Sequence, residues 1–204
     1  MKLFHSPASP YVRLVMATAF ETGQAGDIER LPSAAGPVKR DATIVARNPS
    51  GKVPTALLED GSALYDSRVI CEYLDSRHGG RRLFPAEGPA RWRALTLLSL
   101  AQALLDAALL ARYEVALRPA DKRWDDWLTG QMAKIDSSVA ELEAHWIDHL
   151  SGELDIGALA TACALGYLDF RFADHDWRAG APKLAAWYRK TESRPCLVET
   201  RPAG

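Results

Sequence analysis

The sequence predicts an α/β domain followed by an all-helical one. Three observations carry that prediction. Residues 1–78 alternate short strand-like runs with stretches of helical spacing; residues 79–89 lose all periodicity and gather Gly and Pro at their ends; and no strand signal survives from residue 90 onward.

Taken in order, MKLFH at the start reads as a strand, and PYVRLVMATAFETG (10–23) places apolar residues at helical spacing with Gly23 as a stop. DIERL (27–31) is a second strand, and VKRDATIVAR (38–47) a short second helix. TALLED and SALY flank Asp60-Gly61, a dipeptide that favours tight hairpin turns. DSRVICEYLDSRH (66–78) opens with a cap-like Asp-Ser and carries Val69, Ile70, Tyr73 and Leu74 at helical spacing. The order β-α-β-α-β-β-α requires a parallel pair joined by a crossover helix, finished by an antiparallel hairpin. Helical runs follow at 90–118, stopped by Pro119, and at 121–149, 155–172 and 183–194. The third is nearly apolar along its centre, as a buried helix is. The expected domains are 1–78 and 90–204, with 79–89 as the linker.

Composition narrows the function. The chain has 204 residues, 48% hydrophobic and 25% charged, with a net charge of -1. That is ordinary for a globular protein and gives no basic patch for nucleic acid or for a membrane surface. Apolar stretches such as LLDAALLA are too short to span a bilayer, and no signal-peptide run follows the N-terminal Lys. The expectation is a cytoplasmic protein. Three cysteines, Cys71, Cys163 and Cys196, form no C-x-x-C pair and read as small hydrophobes in helices. No metal is expected.

Two stretches carry chemistry. SPASPYVRLV (6–15) places a hydroxyl and a proline where a strand gives way to a helix. Ser9 suits an N-cap and Pro10 the first helical position. The same place suits an anion, because unpaired N–H groups and a partial positive charge gather there, and a hydroxyl can donate to a bound sulfur. Both roles remain open for Ser9; Ser6, before Pro7, is its rival. In NPSGKVPTALLEDGSALYDSRVICEYL (48–74), Val53-Pro54 begins a strand. A cis bond there would turn the Val53 backbone outward to pair with an extended peptide. Twelve residues on, Asp66-Ser67 opens a helix. An acid can take an ammonium, while a hydroxyl and free N–H groups take a carboxylate, which together hold the head of an amino acid.

SPYVR after the first strand, NPSGKVP, the Asp-Ser pair and the late ACALGYLDFRF together resemble a bacterial glutathione S-transferase, over essentially the whole chain. The resemblance implies a thioredoxin-like N-terminal domain, a helical C-terminal domain, a homodimer, and glutathione as co-substrate for a small electrophile, with a role in detoxification. It implies that Ser9 is the catalytic hydroxyl, Val53 the backbone clamp, Pro54 the cis proline, and Asp66 and Ser67 the γ-glutamyl site. Lys52 sits where a side chain could reach the glycyl carboxylate. Asp106, Arg112 and Tyr113 on the long helix are candidates for the second-substrate pocket, Asp106 for a ligand amine. The same thiolate would also serve peroxide reduction, isomerisation or dehalogenation, and the fold can act as a binding module without turnover.

The sequence departs from parts of the family's pattern. No cysteine lies between residues 1 and 70, so mixed-disulfide chemistry lacks its nucleophile. No Tyr occupies KLFHS. His5 reads as structural. Arg13, four residues beyond Ser9 and on the same helical face, could aid an anion or, the preferred reading, pair with a carboxylate in the core of the subunit contact. Asp155 caps the buried helix, but Ala158 leaves the reciprocal half of the capping box empty.

Overall fold

The computed structural model describes residues 1–203. β1 (Lys2–Phe4) leads into α1 (Pro10–Glu21). Ser9 caps the helix and Pro10 fills its first position; Thr22 ends it, and Gly23 follows at a φ of 73°, which glycine adopts without a steric penalty. β2 (Glu29–Leu31) runs parallel to β1. The helix expected over 38–47 is confined to α2 (Ala42–Val45), capped by Asp41. Only Ile44 of α2 is buried and Val38 is 80% exposed, so packing supports a single turn and no more. β3 (Thr55–Leu57) and β4 (Ala63–Leu64) form the hairpin, with Gly61 at a φ of 83°. α3 (Ser67–Asp75) completes the predicted order.

The sheet order is β2-β1-β3-β4, with β1 parallel to β2 and the other pairs antiparallel. α1 and α3 pack together over a core that includes Leu3, Leu14, Met16, Ile70 and Leu74.

The helical part comprises α4 (Gly88–Ala116), α5 (Asp125–His145), α6 (Ile147–Leu150), α7 (Ile156–Arg171) and α8 (Pro182–Thr191). Every residue from Ile156 to Leu168 is buried, as an apolar helix requires. α7 packs chiefly on α4. A Cβ on Gly157 would lie 2.7 Å from both the Ala94 carbonyl oxygen and the Leu97 Cβ, so this contact admits only glycine without a shift. Asp155 caps α7 through the Ala158 N–H at 2.9 Å. The missing half of the capping box is not replaced, but the cap itself is braced from elsewhere: His149 Nε2 meets the other Asp155 oxygen at 2.8 Å, and Arg93 Nε–H donates to His149 Nδ1. α4 is also long and apolar enough to cross a membrane by length and composition, against the expectation from LLDAALLA; 56% of its most apolar window is buried inside the protein, as in a core helix.

The chain divides into two compact units, residues 85–194 and residues 1–84 joined by the segment from Pro195. This differs from the composition-based division into 1–78, 79–89 and 90–204 at both ends of the second domain. Leu83 and Phe84 are buried, their N–H groups held by the Asp75 carboxylate at 2.7 and 3.1 Å. The final helix, α9 (Pro195–Val198), packs on α1. Local composition registers neither contact: Asp75 lies outside the Gly- and Pro-rich stretch that it holds, and Arg13 of α1 is 184 residues from Leu197 of α9. Cys71, Cys163 and Cys196 are buried and form no disulfide.

Candidate functional site

Strand register brings the predicted residues of the first unit to one end of the sheet. Phe4, the last residue of β1, is opposite Thr55, the first of β3. Leu64, the last of β4, is opposite Ala56. The loop carrying Ser6 and Ser9, the Val53-Pro54 step and the Asp66-Ser67 step therefore all leave the sheet at the same edge of its strands.

Ser9 is half-buried. Its Oγ accepts a hydrogen bond from the Val12 N–H at 3.3 Å, and its backbone N–H donates to the Ser6 carbonyl at 3.1 Å. The cap uses a lone pair of the hydroxyl; no hydrogen bond among the described residues uses its proton. Capping and donation to a bound anion are therefore compatible in one side chain, and the two readings of Ser9 need not compete. Ser6 lies on the preceding loop and caps nothing. His5 is half-buried, and burial, assisted by the Arg30 charge, pushes its proton affinity below the ordinary imidazole range.

Val53-Pro54 is a cis peptide bond, as is Tyr65-Asp66. No hydrogen bond among the described residues uses the Val53 N–H or C=O, so the backbone ahead of β3 has an unpaired donor and acceptor, as β-augmentation needs. The loop that presents them is held by Asn48, which is 1% exposed. Its Nδ2 donates to Thr55 Oγ1 at 2.8 Å and to the Lys52 carbonyl at 3.3 Å, and its Oδ1 accepts from the Ser50 N–H and hydroxyl. Thr55 Oγ1 in turn donates to the Lys52 carbonyl at 2.8 Å. Asn48 was not singled out from the sequence. Its only signal is an Asn-Pro step six residues before a strand, which by itself reads as a turn.

Asp66 caps α3 through the Arg68 N–H at 3.0 Å. The Arg68 side chain also grips the carboxylate, Nη2 to Oδ2 at 2.8 Å and Nε to Oδ1 at 3.2 Å. These hydrogen bonds hold Asp66 below the usual carboxylate range, so it is charged at neutral pH. Ser67 is buried at the first helical position, while Lys52 is exposed with no side-chain partner among the described residues. Arg68 is a second residue that the sequence alone did not flag.

In the helical unit, Asp106 is exposed on α4, while Arg112 and Tyr113 are half-buried near its C-terminal end. Arg112 and Tyr113, without Asp106, belong to a cluster with Tyr167 and Arg171 of α7. Burial pushes the Tyr167 phenol up to about 12, with Arg112, Tyr113 and Arg171 all acting on it. Burial likewise raises Tyr113. The sequence showed Tyr167 and Arg171 only as part of a nearly apolar helix. Among the described residues, no group of three or more His, Cys, Asp or Glu could hold a metal ion.

Comparison with known proteins bears on this arrangement. Residues 3–82 match the model of the glutathione S-transferase N-terminal domain, and residues 125–190 that of the C-terminal domain. The uncharacterized GST-like protein YibF of Escherichia coli K12 is 32% identical over 99% of this chain and 98% of its own length. A glutathione transferase family member from Pseudomonas fluorescens Pf-5, crystallised with bound glutathione, is 50% identical with a TM-score of 0.98, covering 100% of this chain and 99% of that one. A second crystal structure from that organism, with bound S-(propanoic acid)-glutathione, is 49% identical with a TM-score of 0.93, and each chain covers 100% of the other.

Proposed function

The chain belongs to the glutathione S-transferase family, and on that premise we propose that it transfers the thiolate of glutathione to a small apolar electrophile. The observation that carries the reading is the state of Ser9: its lone pair is engaged by the helix while its proton is free to be donated, at the start of a 12-residue helix. The Pseudomonas fluorescens relatives hold glutathione in one case and a glutathione bearing an acid on its sulfur in the other, which supports the same tripeptide here.

In this reading an extended tripeptide pairs with the unpaired backbone of Val53, beside Pro54. The Asp66 carboxylate takes the γ-glutamyl ammonium, Ser67 and the α3 N–H groups take its carboxylate, and Lys52 reaches the glycyl end. The thiol gives its proton to water. The Ser9 hydroxyl and the α1 dipole hold the thiolate, whose electron pair forms the S–C bond as the leaving group departs. Lowering the thiol pKa by two units corresponds to about 2.7 kcal/mol. One hydrogen bond to a charged group, worth about 1.5–3 kcal/mol, together with a helix-end field accounts for it. Arg112 and Tyr113, with Asp106, contribute to holding the electrophile. The reading includes a cytoplasmic homodimer that detoxifies its substrates.

Ser9→Ala tests it. Conjugation of a chloronitrobenzene is expected to fall tenfold or more while glutathione is still bound, and the ultraviolet thiolate band of the complex should titrate at higher pH. Ser9→Asn retains a capping oxygen without the hydroxyl; it should keep the thermal stability of the parent and share the loss of rate. Unchanged turnover in both variants removes Ser9 from the mechanism. A panel of peroxide, halide and isomerisable substrates separates conjugation from the sister reactions. Failure of immobilised glutathione to retain the protein would favour a module that binds something else.

A further inference from the structure

The cluster on α4 and α7 goes further than lining a pocket. Its position follows from helix geometry. Gly157, at the start of α7, lies against Ala94 and Leu97 near the start of α4. Arg171 is 14 residues beyond Gly157, and Arg112 is 15 beyond Leu97, so helices that run the same way from that contact bring these side chains to one level about 20 Å along. Tyr167 and Arg171 are four apart and share a face of α7, while Arg112 and Tyr113 are adjacent on α4. Arg112 acts electrostatically on Tyr113, Tyr167 and Arg171, in agreement with that placement.

The cluster is composed of donors. Tyr167 is 2% exposed and forms its floor; Arg112, Tyr113 and Arg171 are half-buried around it. Both phenols remain protonated at neutral pH, so each presents an O–H. Burial and the neighbouring Arg112 both weaken the hold of Arg171 on its proton, the mark of two like charges drawn partly out of water. No member is an acid. Two guanidinium forks and two phenol hydroxyls suit a planar anion with two oxygens, since a carboxylate accepts two parallel N–H bonds from one fork and further bonds from O–H donors.

We propose that Arg112, Tyr113, Tyr167 and Arg171 form a carboxylate site in the helical unit, and that the second substrate is an electrophile carrying a carboxylate. This rests on the glutathione-transferase reading above and departs from it in one respect: the electrophile keeps an apolar body but also carries an anionic group. For a halogenated nitrobenzoate the step balances without a further reactant: the thiolate pair forms the S–C bond at the ring carbon bearing chlorine, the C–Cl bond breaks, and chloride departs with its pair. The carboxylate is unchanged and serves only to be held.

The test has a binding arm and a rate arm, on the intact protein. Calorimetry compares S-(2-carboxyethyl)glutathione with S-propylglutathione, ligands of similar size that differ in charge. The acid is expected to bind at least tenfold tighter. In Arg112→Met and Arg171→Met that ratio should fall toward one, and in Tyr113→Phe it should fall partway. In the rate arm, conjugation of 4-chloro-3-nitrobenzoate is compared with that of 4-chloro-3-nitrobenzamide, each divided by its uncatalysed rate. The benzoate should be favoured at least tenfold in the parent, with the variants losing the preference mainly through KM. Equal affinity for acid and propyl ligands, with both bound, overturns the carboxylate site and leaves the transferase reading intact. A tenfold preference that all three variants preserve overturns the assignment to these residues. If neither conjugate nor glutathione binds, the transferase reading itself has failed. Should a methionine variant fail to fold, the Tyr113→Phe ratio and the parent comparison still decide the matter.

Discussion

Arg13 presents the sharpest physical problem at a single residue. It is 7% exposed on α1; its Nη2 donates to the Leu197 carbonyl at 3.3 Å, while Nε and Nη1 are buried without a hydrogen-bond partner. No carboxylate of the described residues pairs with it; the partner that the sequence led us to expect belongs to a subunit contact. A buried charge without a counter-ion costs free energy, and an apolar side chain of similar length removes that cost. Arg13→Met is therefore expected to leave stability unchanged or raise it by about 1 kcal/mol in urea denaturation. A loss of 2 kcal/mol or more would mean that an anion pairs with Arg13 in solution. His5 makes a prediction of the opposite kind. Its folded pKa is depressed, so below about pH 6.5 the unfolded chain binds more protons at this site than the folded one. Stability contributed here is complete above that pH and declines as pH falls through it. Denaturation of the parent and of His5→Gln at pH 7 and pH 5 should show a smaller loss in the variant.

At the scale of elements, close helix contact and loop bracing decide what the site can rely on. The Cβ introduced by Gly157→Ala would meet a backbone oxygen of α4, which cannot rotate away, so the two helices must separate. Such overpacking costs about 1–3 kcal/mol. The thermal midpoint should fall by roughly 2–12 °C, since about 1 kcal/mol shifts a chain of this length by about 2–4 °C. If Arg112 and Arg171 act together as proposed, this variant should also blunt the preference for carboxylate ligands. Asn48 braces the loop ahead of β3 by contacts to Ser50, Lys52 and Thr55. Asn48→Ala removes those anchors without touching a ligand. Glutathione affinity, read by calorimetry, is expected to weaken about tenfold, with the Ser9-dependent thiolate titration unchanged once the site is saturated.

Across the whole molecule, the unit that holds the proposed glutathione site is completed by the last residues of the chain. Leu197 and Cys196 are 1% and 2% exposed, the Leu197 carbonyl is bound by Arg13, and the Ala203 N–H donates to the Pro7 carbonyl at 3.3 Å, beside the loop that carries Ser9. Ending the chain at Arg194 exposes the α1 face that α9 covers and strips Arg13 of its one bond. Re-exposing the Leu alone costs about 1.5–3 kcal/mol. The truncated protein should unfold at distinctly lower denaturant, and glutathione binding should weaken with it. Retention of full stability would show that α9 contributes nothing to the first unit.

The order of strands and helices was legible because its signals are local: period-two and period-3.6 spacing, Asp60-Gly61 in a hairpin, Ser9-Pro10 and Asp66-Ser67 at helix starts. Motif order alone carried the chain to its family. Only the folded structure shows the contacts of Asn48 and Arg68, the neighbourhood of Tyr167 and Arg171, the bracing of Asp155 by His149, and the return of α9 to the first unit. Each depends on side chains meeting across turns or between helices, and sequence spacing records which face a residue occupies but not what that face is packed against.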